Sequence, residues 1–133
     1  MSLAELLSMG VKRLEDLIAF KEAVAFKVEV YAILRRHPTA SRDWRYRDQL
    51  FDAASGVEAS IAEGWRRYGA TDMIRFLRYA AGSLDEARVR LLDGVHRGYF
   101  NRDTCNDALL HAARSGGAIT NLIKSLRPPD DRT

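Results

Sequence analysis

Cysteine is almost absent from this chain of 133 residues: Cys105 is the only one. A lone thiol excludes an intramolecular disulfide framework and agrees with a reducing, cytoplasmic setting, and Cys105 itself reads as a small core residue. Proline is nearly as scarce. Pro38, Pro128 and Pro129 all stand where elements would end, so no helix interior is broken by one. No apolar run approaches the roughly 20 residues that cross a bilayer. Acidic Glu5 also occupies the stretch where an export signal would carry positive charge. The expectation is a soluble, unexported chain with no membrane partner. Its length, with 47% hydrophobic residues, suffices for one core without disulfide or metal.

Lysine is the next scarcity. Among 21 basic residues only Lys12, Lys21, Lys27 and Lys124 are lysine, and the net charge of +3 is mild. The planar fork of arginine suits phosphate and carboxylate better than the point charge of lysine. Selection for phosphate binding and a GC-rich genome explain the bias equally well.

What is present reads as helix. The first helix is expected over Ile18 to His37, stopped by Pro38. A second starts near Ser41, with Asp43 in its first turn, and ends near Trp65 to Tyr68 before Gly69. Thr71 caps a third that runs to Arg97, with Gly98 as its stop, and Asn101 caps a fourth to Leu126. Apolar residues recur at three and four on each: Leu50, Ala54, Val57, Ile61 and Trp65 on the second, Ile74, Leu77, Ala81, Leu84 and Leu91 on the third, and Cys105, Leu109, Ala112, Gly116, Ile119, Ile123 and Leu126 on the fourth. Short loops force antiparallel neighbours, giving an all-α, up-down-up-down four-helix bundle over residues 16–126.

Helix one is apolar over roughly 220° of arc, from Phe20, Ala23 and Val24 through Val28 to Ile33 and Leu34, wider than one buried face requires. A second buried face is therefore expected, and self-association would supply it. Upstream, Leu3, Leu7, Val11, Leu14 and Ile18 continue a stripe, so residues 1–15 read as an arm, helical in part, docking on its own bundle or a neighbour. Residues 127–133, with two prolines and alternating charge, read as a disordered tail.

Chemistry-bearing constellations are few. A bundle that holds two metal ions needs carboxylates on four helices and two Glu-x-x-His pairs. Asp93-Gly94-Val95-His96 imitates one such pair, so neither metal nor cofactor is expected. No nucleophile elbow, Walker or dinucleotide spacing occurs, and no enzymatic activity is expected. Glu63, between Ala62 and Gly64, needs a partner in so apolar a stretch; Arg66, Arg67 or an arginine of helix three is the candidate, and an ion pair locking helix two to helix three is expected. Gly82 and Ser83 interrupt helix three, where glycine costs about 1 kcal/mol. Close approach of another helix is the expected compensation, with Ser83 bonding back to a carbonyl one turn earlier.

Basic residues interleaved with aromatics remain. Arg35, Arg36, Arg42, Arg45 and Arg47 gather around the first loop with Trp44 and Tyr46. Arg66, Arg67, Arg75 and Arg78 gather around the second with Trp65 and Tyr68. Arginine beside exposed rings grips phosphates while stacking on unpaired bases. Pairing with Asp43, Asp48, Asp52 and Asp72 would instead make them an ordinary solvated surface.

Ile61-Ala62-Glu63-Gly64-Trp65-Arg66-Arg67 and Phe76-Leu77-Arg78-Tyr79-Ala80-Ala81-Gly82-Ser83-Leu84-Asp85-Glu86, with Asp16 to Ala23 before them and Leu91-Leu92 and Gly98-Tyr99 after, resemble a known signature. It is that of the small four-helix bundle proteins encoded in intervening sequences of bacterial 23S ribosomal RNA genes, and the resemblance covers residues 16 to 126. It implies a closed homopentameric ring, with RNA or DNA bound by arginines around the rim. More loosely the chain is similar to the accessory variability proteins of diversity-generating retroelements, which implies a reverse transcriptase and its RNA as alternative partners. A protein-interaction scaffold is the further alternative. One position departs: where the family commonly has proline ahead of the Ile-Ala-Glu-Gly motif this chain has Glu58, which implies a straighter helix two and puts the carry-over of binding residues in question.

Overall fold

The computed structural model describes Glu5, Leu6 and residues 10–127. Five helices occur among them: α1 (Ile18–Arg36), the short α2 (Pro38–Arg42), α3 (Trp44–Arg66), α4 (Ala70–His96) and α5 (Asn106–Leu126). The four long ones form the expected up-down-up-down bundle. Cross-helix contacts set the register. Gly64 of α3 meets Met73 and Phe76 of α4, Gly56 meets Ser83, and Tyr46 meets Gly94, so positions climb on one helix as they fall on the other. Ala19 and Glu22 of α1 likewise face Ser115 and His111 of α5, while Lys27 and Tyr31 face Glu58 and Phe51 of α3.

Phe26, Ile33, Leu34, Leu50, Ile61, Leu77, Leu84, Leu91 and Ile119 fill the core, and Cys105 is buried with them. Burial also raises the pKa of the Cys105 thiol. The wide apolar arc of α1 finds its second face inside the chain. α1 lies between α3 and α5, so Phe20, Val24 and Tyr31 are partly buried and Val28 is the large apolar side chain of the arc that stays exposed. The second face that self-association was expected to supply is thus largely provided by α5.

Four boundaries differ from expectation for local reasons. Pro38 does not open a loop; it sits at the first position of α2, where its missing N–H costs nothing. The carboxylate of Asp43 then accepts from Tyr46 N–H at 3.2 Å and caps α3, which starts at Trp44 rather than near Ser41. Gly69, not Thr71, occupies the cap position of α4. Asn101 caps as expected, but what it caps is a 3-10 turn, Arg102–Cys105, leading into α5. α3 is unbroken through Glu58.

The upstream stripe is cut by a change of phase. Asp16 accepts from the backbone N–H of Lys12 and Arg13, each at 2.9 Å, and closes a 3-10 turn over Leu14–Asp16. α1 then starts afresh, so Leu17 turns inward and Ile18 stands 63% exposed. Leu6 is buried and Val11 and Leu14 pack on the core; Leu3, Leu7 and the tail beyond Arg127 lie outside the described residues.

Candidate nucleic-acid interface

The arginines singled out in the sequence fall into two groups at opposite ends of the bundle, because the α1–α3 and α3–α4 connections lie at the two ends of α3. That helix has 23 residues, about 34 Å at 1.5 Å per residue. One continuous rim patch containing both groups is not what this protomer builds.

At the first end the chain turns a tight corner. His37 Nδ1 lies 2.7 Å from the carbonyl of Ile33, and the Ser41 hydroxyl donates to the carbonyl of Leu34, so the last turn of α1 is closed by side chains. Asp43 and Asp93 are occupied here. Asp43 accepts from the Tyr99 hydroxyl, from Tyr46 N–H and, at 3.4 Å, from Arg97; Asp93 accepts from Arg97 at 2.6 Å. The Tyr99 hydrogen bond first, then that of Tyr46 N–H, holds the Asp43 carboxyl below its ordinary value. Arg47 pairs with Asp48 at 3.0 Å.

The remaining arginines keep their charge for solvent. Arg35, Arg36, Arg42 and Arg45 are exposed and make no ion pair among the described residues. Trp44, in their midst, is 70% exposed, with the Arg47 guanidinium 5.9 Å from its ring centre. Tyr46, by contrast, is buried: its hydroxyl donates to the Leu91 carbonyl at 3.3 Å and it offers no stacking surface.

The second end is more self-satisfied. Arg67 pairs with Glu63 at 3.1 Å and Arg75 with Asp72 at 3.2 Å, and both guanidinium groups lie 5.0 Å from the centre of the Phe76 ring. Arg66 and Arg78 are exposed and make no ion pair among the described residues. Trp65 packs partly on the core, whereas Tyr68 stands free in the turn.

Two structural expectations are corrected here. Glu63 does not lock α3 to α4 directly: it is about half exposed, and its partner Arg67 follows one turn later at the end of α3 itself. The link to α4 is made one step further, by Arg67 over Phe76. Gly82 is not a point of close approach within the protomer, since a Cβ there would meet nothing within 4 Å. Tight contact falls on Gly64 instead, where a Cβ would lie 2.8 Å from that of Phe76. Ser83 turns toward α3, 3.2 Å from the Cβ position of Gly56.

The inter-helix ion pair that the sequence placed at Glu63 lies a little over one turn earlier on α3, where Glu58 meets Lys27 of α1. The departure from proline at this position was its visible signal. The Arg97–Asp43–Tyr99 node was missed altogether; Gly98-Tyr99 was the nearest sign of it. Two polar side chains tie α5 to α1: the Ser115 hydroxyl donates to the Ala19 carbonyl at 2.9 Å, and His111 Nδ1 lies 2.5 Å from Glu22. Among the described residues no three His, Cys, Asp or Glu side chains converge as a metal set, and no helix is long and apolar enough to cross a membrane.

Comparison with curated proteins and with solved structures gives no match. A family model described as 23S rRNA-intervening sequence protein matches residues 15–121, most of the chain, covering α1, α3 and α4 in full and α5 as far as Asn121. Ile61 to Arg67 and Phe76 to Glu86, which form the tight α3–α4 pairing around Gly64, lie within that match. The chain therefore belongs to the 23S rRNA-intervening sequence protein family.

Proposed function

We propose that this protein is a non-enzymatic, homo-oligomeric bundle that binds unpaired RNA through the α1–α3 end. The observation that carries the reading is the setting of Trp44: a ring 70% exposed at the start of α3, at the end of the bundle where Arg35, Arg36, Arg42 and Arg45 make no ion pair among the described residues. One face of the ring is approached by Arg47, which leaves the other to stack on a base while Arg42 and Arg45 reach phosphates. The fixed acids of this end, Asp43 and Asp93, are turned to Arg97 and Tyr99 and hold the corner rather than oppose the ligand.

Self-association draws on the outward side of α4. Tyr79, Gly82 and Val89 fall within roughly 80° of arc at 100° per residue, together with Arg75 and Glu86. Tyr79 and Val89 are exposed, and none of the described residues comes within 4 Å of a Cβ placed at Gly82. A helix of a second copy fits against so open a stripe. Assembly would repeat the arginine-rich end once per subunit and raise its avidity.

Filter binding at low salt, with single-stranded RNA, duplex RNA and duplex DNA, tests the reading. Single-stranded RNA should bind best, affinity should fall steeply with salt, and Arg42→Ala with Arg45→Ala should weaken it without lowering the melting temperature. Failure to bind any of the three overturns it in favour of a protein-interaction scaffold.

A further inference from the structure

The α3–α4 turn holds a residue that its own backbone disfavours. Tyr68 has φ 57°, in the left-handed region, at the position just past the end of α3 that glycine fills by preference. A bulky side chain there is a conformational outlier. Folding gains nothing visible from it: the ring is 83% exposed, and the hydrogen bond from Tyr68 N–H to the Trp65 carbonyl at 3.3 Å is one that glycine would make equally well. Strain kept without packing in return is characteristic of a residue used for contact outside the chain. The surroundings name the contact. Four arginines, Arg66, Arg67, Arg75 and Arg78, face two acids, Glu63 and Asp72, each already paired, so the end retains positive charge beside a free aromatic ring.

We propose that this turn is a second, separate site for an unpaired RNA strand, in which Tyr68 stacks on a base and Arg66 with Arg67 holds phosphate. The inference rests on the reading of the Trp44 end and extends it. The two sites are not halves of one groove. Trp44 and Tyr68 bracket the 23 residues of α3, about 34 Å. Exposed Asp52, which makes no ion pair among the described residues, lies between them on the stripe of α3 that joins Trp44 to Arg66, where a phosphate backbone would be repelled. Each protomer is thus two-ended and bridges two strands, or two segments of one folded RNA.

Photo-cross-linking of the full chain to a short oligouridine of about eight nucleotides, within the length that such platforms cover, with the adducts mapped to peptides, decides it. Adducts are expected at both Trp44 and Tyr68. Trp44→Ala should remove the first and leave the second. Tyr68→Gly should remove the second, weaken that site about tenfold, and leave the melting temperature unchanged or raised, because the left-handed strain is relieved. Tyr68→Phe should keep the adduct. Adducts confined to the Trp44 end, with Tyr68→Gly binding like the unaltered chain, overturn the second site while the first stands. No adduct and no binding at either end overturns both. A lower melting temperature in Tyr68→Gly assigns the ring to folding and also overturns the proposal.

Discussion

The ammonium of Lys27 meets the carboxylate of Glu58 across the α1–α3 interface, with both side chains about four-fifths covered. The Lys27 ammonium also lies over the Tyr31 ring, 5.9 Å from its centre, and that ring packs edge-on against Phe51, so the pair closes one layer of this seam. A pair so covered leaves a partly desolvated charge when one member is removed. Lys27→Met alone should therefore cost about 1–3 kcal/mol, and Lys27→Met with Glu58→Leu should recover most of it. Chemical denaturation of the two single variants and the double closes the cycle. Additive losses would mean that the two groups do not interact. Glu63→Gln is the contrasting case: a half-exposed pair within one helix should cost at most about 0.5 kcal/mol.

Gly64 and Gly94 let α3 and its neighbours approach as closely as they do. A Cβ at Gly64 would lie 2.8 Å from the Cβ of Phe76 and 3.0 Å from the sulfur of Met73, and at Gly94 it would fall into the Tyr46 hydroxyl and the Phe100 ring. Backbone or ring has to move in either case. Gly64→Ala and Gly94→Ala should each destabilise by about 1–3 kcal/mol or more, with Gly94→Ala the worse, since two aromatic groups are displaced at once. Thermal melts of both variants test the ranking, and an unchanged Gly94→Ala melt would contradict this packing.

The Asp43 node makes a pH-dependent contribution with a definite sign. Hydrogen bonds from Tyr99 and Tyr46 N–H lower its folded-state pKa, so the unfolded chain takes up the proton first as pH falls. The stabilisation is complete above the ordinary carboxylate range, near pH 4, and is lost as pH drops through the lowered folded-state value. Asp43→Asn should be less stable than the unaltered chain at about pH 7, and the gap should narrow in acid. Denaturant midpoints measured across this range show it; a gap independent of pH would remove Asp43 from the acid response.

Much of this architecture is legible in the chain, because helix periodicity is local information. The apolar stripes of α3, α4 and α5 give the bundle, and Gly98 and Asn101 mark the far end of α4 and the approach to α5. Errors enter where a single backbone hydrogen bond decides. Asp16 closes a turn that inverts Leu17 and Ile18, and Asp43 moves the start of α3 past Ser41. Partner choice is less legible still: Glu63 and Glu58 lie on the same helix, and only the third dimension brings Lys27 to one and not the other. The arginines and rings of the candidate interface are visible as composition, but that Trp44 and Tyr68 are exposed while Tyr46 is buried follows from packing.

Gly82 separates a self-contained bundle from an assembling one. Its Cβ position is open, and an exposed mid-helix glycine costs about 1 kcal/mol relative to alanine. In a monomer, Gly82→Ala should therefore stabilise α4 by that amount, and Gly82→Arg should be nearly neutral. If a second copy packs over Tyr79, Gly82 and Val89, the arginine has no room, so Gly82→Arg and Val89→Glu should both lower the mass measured by light scattering while leaving the helical signal intact. A concentration-independent monomer at micromolar protein, unaffected by either substitution, would show that the open stripe of α4 faces water and that the two arginine-rich ends act without the multiplication that assembly provides.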